Sequence, residues 1–264
     1  MIRLKTAILI FLFVCLSVIN IMTYGQTNPE NEIWGGHPVN PFEIKPLEEP
    51  DLFKPKVPNS TVTEDTVTSN KGDRYTHLTD ADFQIVADEL GIEPAVIKAV
   101  VAVEAGPQMK GFFAPGIPVI NFDPSMFAIY KNKAHNKVGN KSATVPAGLT
   151  GYALKEWTQL TNARKINAQG ADMGTFWGMF QIGGFNYKIC GCESVEEYVR
   201  KISDSEFEQL EIFAVFIKNT GMLEYLKKKD WAGFSRRYNG SGYAKRGYHT
   251  KMANAYKKFK NAAN

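Results

Sequence analysis

The stretch Ala99-Val100-Val101-Ala102-Val103-Glu104-Ala105-Gly106 limits what this chain can fold into more than any other part of it. An unbroken apolar run ends on a single carboxylate. A helix that is apolar on every side must be buried, so this one belongs to the middle of a domain. Pro94 suits its first turn, where a missing N–H costs nothing, and Gly106 with Pro107 stops it. Glu104 then falls in the last turn, beside the negative end of the helix dipole. Apolar neighbours and the dipole both disfavour the ionised form, which raises the pKa. A carboxylic acid kept protonated near neutral pH is what cleavage at a glycosidic oxygen needs, because the leaving oxygen must take a proton. The competing reading is a Glu at a helix end whose head reaches water.

The 264 residues allow one domain of ordinary size plus appendages. A net charge of +4 is too small to indicate nucleic-acid binding. Lys245, Arg246, Lys251, Lys257, Lys258 and Lys260 gather near the C-terminus and read as the solvated face of a last helix, with weak attraction to an anionic wall as the sharper alternative. Cys190 and Cys192 form a C-x-C with no second pair, which argues against zinc. A disulfide across one residue would be strained, so two reduced thiols are expected, with a labile disulfide as the alternative. His37, His77, His135 and His249 show no metal-ligand spacing, and neither metal nor cofactor is expected.

Arg3 and Lys5 precede an apolar segment, residues 7–16, and Thr23-Tyr24-Gly25 follows. Residues 1–25 therefore have the layout of a secretory signal peptide, which implies a secreted or periplasmic protein. Retention as an anchor is the alternative, since the apolar stretch to Met22 is barely long enough to span; contact with a membrane is expected only through this segment, if uncleaved. A lipid anchor on Cys15 is disfavoured by the bulky Val14 before it. Residues 26–75 are Pro-rich and lack apolar periodicity, as in an extended, disordered tether. The catalytic domain is expected over residues 76–264.

Within it, Thr79-Asp80-Ala81-Asp82 has the form of a capping box, followed by Phe83, Ile85, Val86 and Leu90 at helical spacing. Gly91 ends that helix. Pro118 to Phe122 reads as the one strand region. Residues 152–169 read as a helix with Leu154, Trp157, Leu160 and Ile166 inward, and residues 174–184, rich in Gly and aromatics, as a cleft lining. Ser194 with Glu197, and Ser203 with Glu206, predict two further capping boxes; Phe207, Leu210, Phe213, Ala214 and Ile217 give the second of these helices a wide apolar face. Asp230 caps a short helix, and a last helix runs over residues 248–259.

Six short motifs stand in order: Val103-Glu104-Ala105, Gly111-Phe112, Phe122-Asp123, Trp177-Gly178-Met179-Phe180-Gln181-Ile182, Gly184-Phe185-Asn186 and Tyr238-Asn239-Gly240. The ordered set resembles the bacterial and phage N-acetylmuramidase domain of endolysins, within the lysozyme superfamily, over about residues 79–256. The same skeleton occurs more loosely in goose-type lysozymes and lytic transglycosylases. The resemblance implies a mainly α (α+β) fold, a lysozyme-like helical domain with a small β or loop segment near residues 111–123 flanking a cleft. It implies peptidoglycan glycan strands as partner and hydrolysis of the β-1,4 bond between N-acetylmuramic acid and N-acetylglucosamine, with Glu104 as general acid. Two departures stand out. The family has Phe-Glu and a nearby His after the strand, whereas this chain has Phe122-Asp123 and no His there. Asp172-Met173-Gly174 precedes Gly178-Met179-Phe180-Gln181 at the spacing goose-type lysozymes use for a water-positioning aspartate. Asp172 and Asp123 are both candidates for a second carboxylate, Asp172 slightly ahead. A separation of roughly 6.5–9.5 Å from the acid would imply inversion.

Gln181 can donate to and accept from sugar amide or hydroxyl groups. Trp177, Phe180 and Phe185 can offer flat faces to sugar rings, or pack as core, the more common use of Phe180. Asn186 joins the candidate contacts through its motif. Tyr238 and Asn239 can hold an acetamido group, position Glu104, or cap a helix. A lytic transglycosylase needs only the one Glu and leaves a 1,6-anhydro end; a non-catalytic wall-binding module and a structural envelope protein are the other classes. A monomer is expected, with an immunity or inhibitor protein as a further partner of this class.

Overall fold

The computed structural model describes residues 77–106 and 109–262. The expected signal peptide and tether lie outside these residues, as does Pro107. Helix α1 (Asp80–Leu90) begins as its sequence requires: the Thr79 hydroxyl accepts the Asp82 N–H at 3.3 Å, and the Asp82 carboxylate accepts the Thr79 N–H at 2.7 Å. Phe83, Val86 and Leu90 face inward, but Ile85 is exposed, one position off the buried stripe. Gly91, at φ 64°, turns the chain into α2 (Pro94–Glu104), the helix that ends on Glu104. Val96, Ile97, Val100 and Val101 are all buried, as an apolar run demands.

Two small sheets follow. Strands β1 (Phe112–Ala114) and β2 (Ile117–Pro118) pair antiparallel. Strand β3 (Ile120–Phe122) pairs with β4 (Thr175–Trp177), which pairs with β5 (Ile182–Gly183), all antiparallel. The expected single strand over Pro118 to Phe122 is thus divided between the two sheets at Val119, whose N–H donates to Gly111 O at 2.9 Å and whose carbonyl accepts Gly178 N–H at 2.8 Å. The Gly- and aromatic-rich segment, expected only to line a cleft, supplies β4 and β5 and the tight turn between them.

Helices α3 (Pro124–Lys133), α4 (Gly151–Ile166) and α5 (Ala168–Met173) flank this sheet. The helix expected over residues 152–169 breaks at Asn167, whose side chain caps α5 by accepting Gly170 N–H at 2.7 Å. Trp157 and Leu160 point inward, whereas Leu154 and Ile166 are exposed. Side chains of α4 cover the free edge of β3 and the end of β2: Tyr152 OH donates to Ile120 O at 3.4 Å, Glu156 accepts Phe122 N–H at 2.8 Å, and Trp157 Nε1 donates to Pro118 O of β2 at 3.3 Å. An open strand edge is a template for foreign pairing, and these bonds close it.

The remaining helices are α6 (Val195–Ile202), α7 (Glu206–Asn219), α8 (Leu223–Lys227), α9 (Trp231–Asn239) and α10 (Tyr248–Ala262), the last packed along α2. Ser194 caps α6, accepting Glu197 N–H at 3.1 Å, but Glu197 turns to Glu193 N–H at 2.8 Å and the box is not reciprocal. The second expected box is displaced by two residues. Ser205 caps α7, accepting Glu208 N–H at 3.0 Å, while Ser203 ends α6. Asp230 caps α9 as expected. Cys190 and Cys192 are buried free thiols. Among the described residues, no helix is long and apolar enough to cross a membrane.

Glu206, freed from capping, points inward and accepts Gly111 N–H at 2.8 Å and Leu78 N–H at 3.3 Å. One turn on, buried Gln209 accepts Met179 N–H at 2.8 Å and donates to Gly111 O at 3.2 Å and Ile202 O at 2.9 Å. This single amide ties the segment after Glu104 to the β4–β5 turn. It also explains two glycines: a Cβ on Gly111 would stand 2.4 Å, and one on Gly178 2.8 Å, from Gln209 Oε1. Gln209→Leu keeps the volume but orphans the buried Met179 N–H and takes a donor from the Ile202 and Gly111 carbonyls, the latter keeping its bond to Val119 N–H. It is expected to lower unfolding free energy by about 1–3 kcal/mol for the N–H alone, measured by urea denaturation, with wild-type stability as the contrary result.

Candidate active site

Glu104 is the last residue of α2 and is 1% exposed. Its Oε1 accepts from Asn239 Nδ2 at 3.1 Å, while its Oε2 is buried with no partner among the described residues. Burial pushes the carboxyl up to about 8, opposed by the Asn239 hydrogen bond and by the Lys251 charge on α10. The group is therefore protonated at neutral pH, with Oε2 as the oxygen that can carry the proton.

Asn239 is held there by α9. Asp230 starts that helix and Gly240, at φ 74°, ends it, so the expected capping glycine and the contact to Glu104 coexist. Asn239 Oδ1 is likewise buried and without a partner among the described residues. Tyr238 does not face a substrate. Its ring is stacked on Phe234 at 5.5 Å, and its OH donates to Phe180 O at 2.6 Å. It thereby fixes the end of α9 to the β4–β5 turn. In that turn Gln181 sits at φ 49° and donates from Nε2 to Gly178 O at 2.8 Å, closing its own loop. Phe180 is core, stacked on Phe213 at 4.2 Å.

Trp177 was a candidate sugar platform, but it is fully buried and exposes no face. Its Nε1 donates to Asp172 O at 2.9 Å, and the Arg164 guanidinium lies 5.5 Å from its ring and 5.7 Å from that of Trp157. The same guanidinium pairs with the Asp172 carboxylate, Nε to Oδ1 2.6 Å. Burial raises Asp172 and the Arg164 charge opposes it, with burial prevailing. Asp123 is half-buried between β3 and α3. Its Oδ1 accepts the N–H groups of Ser125 at 2.8 Å and Met126 at 3.1 Å, so it caps α3. Phe185 is half-buried with one face stacked on Tyr130 at 5.1 Å, and Asn186 is buried in the 3-10 turn Gly184–Asn186. Among the described residues no group of three or more His, Cys, Asp or Glu could hold a metal ion.

Glu104 thus stands buried at a helix end, one carboxyl oxygen bonded to Asn239 and the other without a partner among the described residues. A family model for N-acetylmuramidase matches residues 93–260. The chain belongs to the N-acetylmuramidase family. It is similar to the crystal structure of a Burkholderia AP3 phage endolysin, with 36% identity and a TM-score of 0.59, over 71% of this chain and 72% of that one. A comparison with curated proteins finds no match. Membership makes the chain a peptidoglycan hydrolase, and the helix-rich fold with few strands is that of the lysozyme-like muramidases.

The residues of this muramidase that sequence reasoning missed are Glu206, Gln209 and Glu156, three buried polar side chains that satisfy backbone groups of the site segments. The signal for Gln209 was available: one polar amide on the helix face that also carries Phe213. Glu104 links folding to pH. Its pKa rises from 4.5 unfolded to about 8 folded, so the folded state binds more protons and stability falls as pH rises through that window, at up to about 1.4 kcal/mol per pH unit. Glu104→Gln should therefore match the wild-type melting temperature near pH 4 and exceed it at pH 8 and above; parallel melting curves across pH would contradict the burial argument.

Proposed function

We propose that the protein is a secreted muramidase that hydrolyses the β-1,4 bond between N-acetylmuramic acid and N-acetylglucosamine, with Glu104 as general acid. The observation that carries the reading is the Glu104 carboxyl: buried, raised to about 8, and with Oε2 unbonded. A group in that state donates a proton to a departing oxygen and is held in place by Asn239 while doing so. Asn239 Oδ1, an acceptor beside it, suits an acetamido N–H of the substrate. A signal peptide over residues 1–25 and a Pro-rich tether over residues 26–75, as the sequence is read, would fit export to the wall.

For the second carboxylate, the environments favour Asp123 over Asp172. Asp172 is buried against Arg164, whose guanidinium sits on two indoles, so its charge serves packing. Asp123 uses only Oδ1 to cap α3 and is more open. Its position at the end of β3 also agrees with the family position of the second acid. In this reading Asp123 activates the attacking water while Glu104 protonates the leaving group.

Glu104→Gln should stay folded and lower the rate of peptidoglycan lysis by about 10²–10⁴-fold, measured by turbidity clearance. The alkaline limb of kcat/KM should fall near pH 8, and Lys251→Met should move it upward, because removing a positive charge stabilises the protonated acid. Asp123→Asn should keep its cap, since Asn caps as well as Asp, yet cost at least tenfold in turnover. Asp172→Asn should chiefly lower stability by taking the charged partner from the half-buried Arg164 guanidinium. Mass spectrometry of the released fragments tests hydrolysis itself. Products lacking one water would carry 1,6-anhydro ends and make the enzyme a lytic transglycosylase.

A further inference from the structure

Between Asp123 and Asp172 the sequence holds one acid, Glu156, among many cations. Glu156 is buried with Lys155 at 3.6 Å, and Arg164 is paired with Asp172. That leaves Lys131, Lys133, Lys137, Lys141 and Lys165. The fold draws them toward one place, because α3 and α4 both end there and residues 134–140 are laced across the junction. Asn167 Nδ2 donates to Lys131 O at 3.1 Å, Asn136 N–H to Gln169 Oε1 at 3.0 Å, and Asn140 N–H to Arg164 O at 2.8 Å. Gly139 lies so close to Lys165 that a Cβ would stand 2.1 Å from its carbonyl oxygen.

Lysines at helix C-termini are favoured by the dipole and need no partner to explain them. The two aliphatic side chains at the same junction are different. Val138 is 69% and Ile166 64% exposed, and Val138 O accepts the N–H of Ala168, two residues beyond Ile166, at 3.1 Å. Two branched apolar residues are thus fixed at one backbone junction, both exposed to water, where the chain also carries its lysines. A soluble polyanion would use the lysines and leave the aliphatics idle. An anionic bilayer uses both, with apolar tips at the acyl boundary and ammonium groups among headgroup phosphates. We propose that this knob, residues 131–141 with Lys165 and Ile166, docks the protein on an anionic lipid surface. Such docking would hold the enzyme between membrane and wall, and it stands or falls independently of the catalytic reading above.

The test uses the full chain carrying Ile166→Trp, with Val138→Trp as an independent second reporter; both positions are exposed, so neither change disturbs packing. Vesicles contain about one-third phosphatidylglycerol in phosphatidylcholine. The introduced indole, read as the difference from wild type, should shift to the blue and be quenched by brominated acyl chains. Pure phosphatidylcholine vesicles should give neither effect. Lys137→Gln with Lys141→Gln should weaken vesicle affinity about 30-fold, roughly fivefold per lysine. A chain that sediments with the vesicles while both reporters keep aqueous emission would be held elsewhere, by its N-terminal apolar segment for instance, and would overturn the proposal. Failure to bind the vesicles would do the same, as would equal lysine-dependent binding of soluble polyphosphate without any acyl-chain quenching, which would make the knob a polyanion surface.

Discussion

Everything in the site depends on burying one acid at the end of an apolar helix. A carboxylate there would be costly, so the group stays protonated, and among the described residues nothing bonds Oε2. The remaining architecture keeps that oxygen dry. Helix α10 covers the length of α2, and Lys251 on α10 opposes the upward shift without pairing directly with the acid. Asn239 gives the carboxyl one hydrogen bond, enough to orient it and too little to ionise it. An apolar run that looks like ordinary core is therefore the device that sets the chemistry of its last residue.

A second set of buried polar groups joins segments that are far apart in sequence. Asn239 holds Glu104; its neighbour Tyr238 holds Phe180 O; the adjacent Met179 N–H is held by Gln209, which also binds Gly111 O. The links run from the end of α9 through the β4–β5 turn to the segment that follows Glu104. Beyond the Asn239–Glu104 pair each partner is a backbone group, so the motifs keep glycines where α7 approaches closely and aromatics where α9 packs. Buried polar networks of this kind, satisfied here except at Glu104 Oε2 and Asn239 Oδ1, hold their segments in one arrangement, which an active site assembled from separate stretches needs.

The features legible in the sequence were those set within a few residues. The start and end of α2, the capping by Thr79 and Asp230, and the apolar environment of Glu104 follow from neighbours along the chain. What escaped depends on partners across the fold. Trp177 reads as a cleft aromatic among glycines, but Arg164 and Trp157 enclose it. Asp172 has the spacing of a water-positioning acid, but the helix break at Asn167 brings Arg164 onto it. Ile85, Leu154 and Ile166 fit a helical pattern by residue type, yet their faces are turned to solvent by the packing of other helices. Glu206 matched a cap by spacing, and the true cap, Ser205, released it to hold Gly111.

The central claim is that burial alone keeps Glu104 protonated at neutral pH. Its most direct test is a titration of the Glu104 side-chain carboxyl by 13C NMR, assigned by difference from Glu104→Gln. The account predicts an inflection near 8, well above the 4.5 of an exposed glutamate. An inflection near 4.5 would mean that water or an unrecognised cation reaches the carboxylate, and the general-acid role derived from its burial would fail.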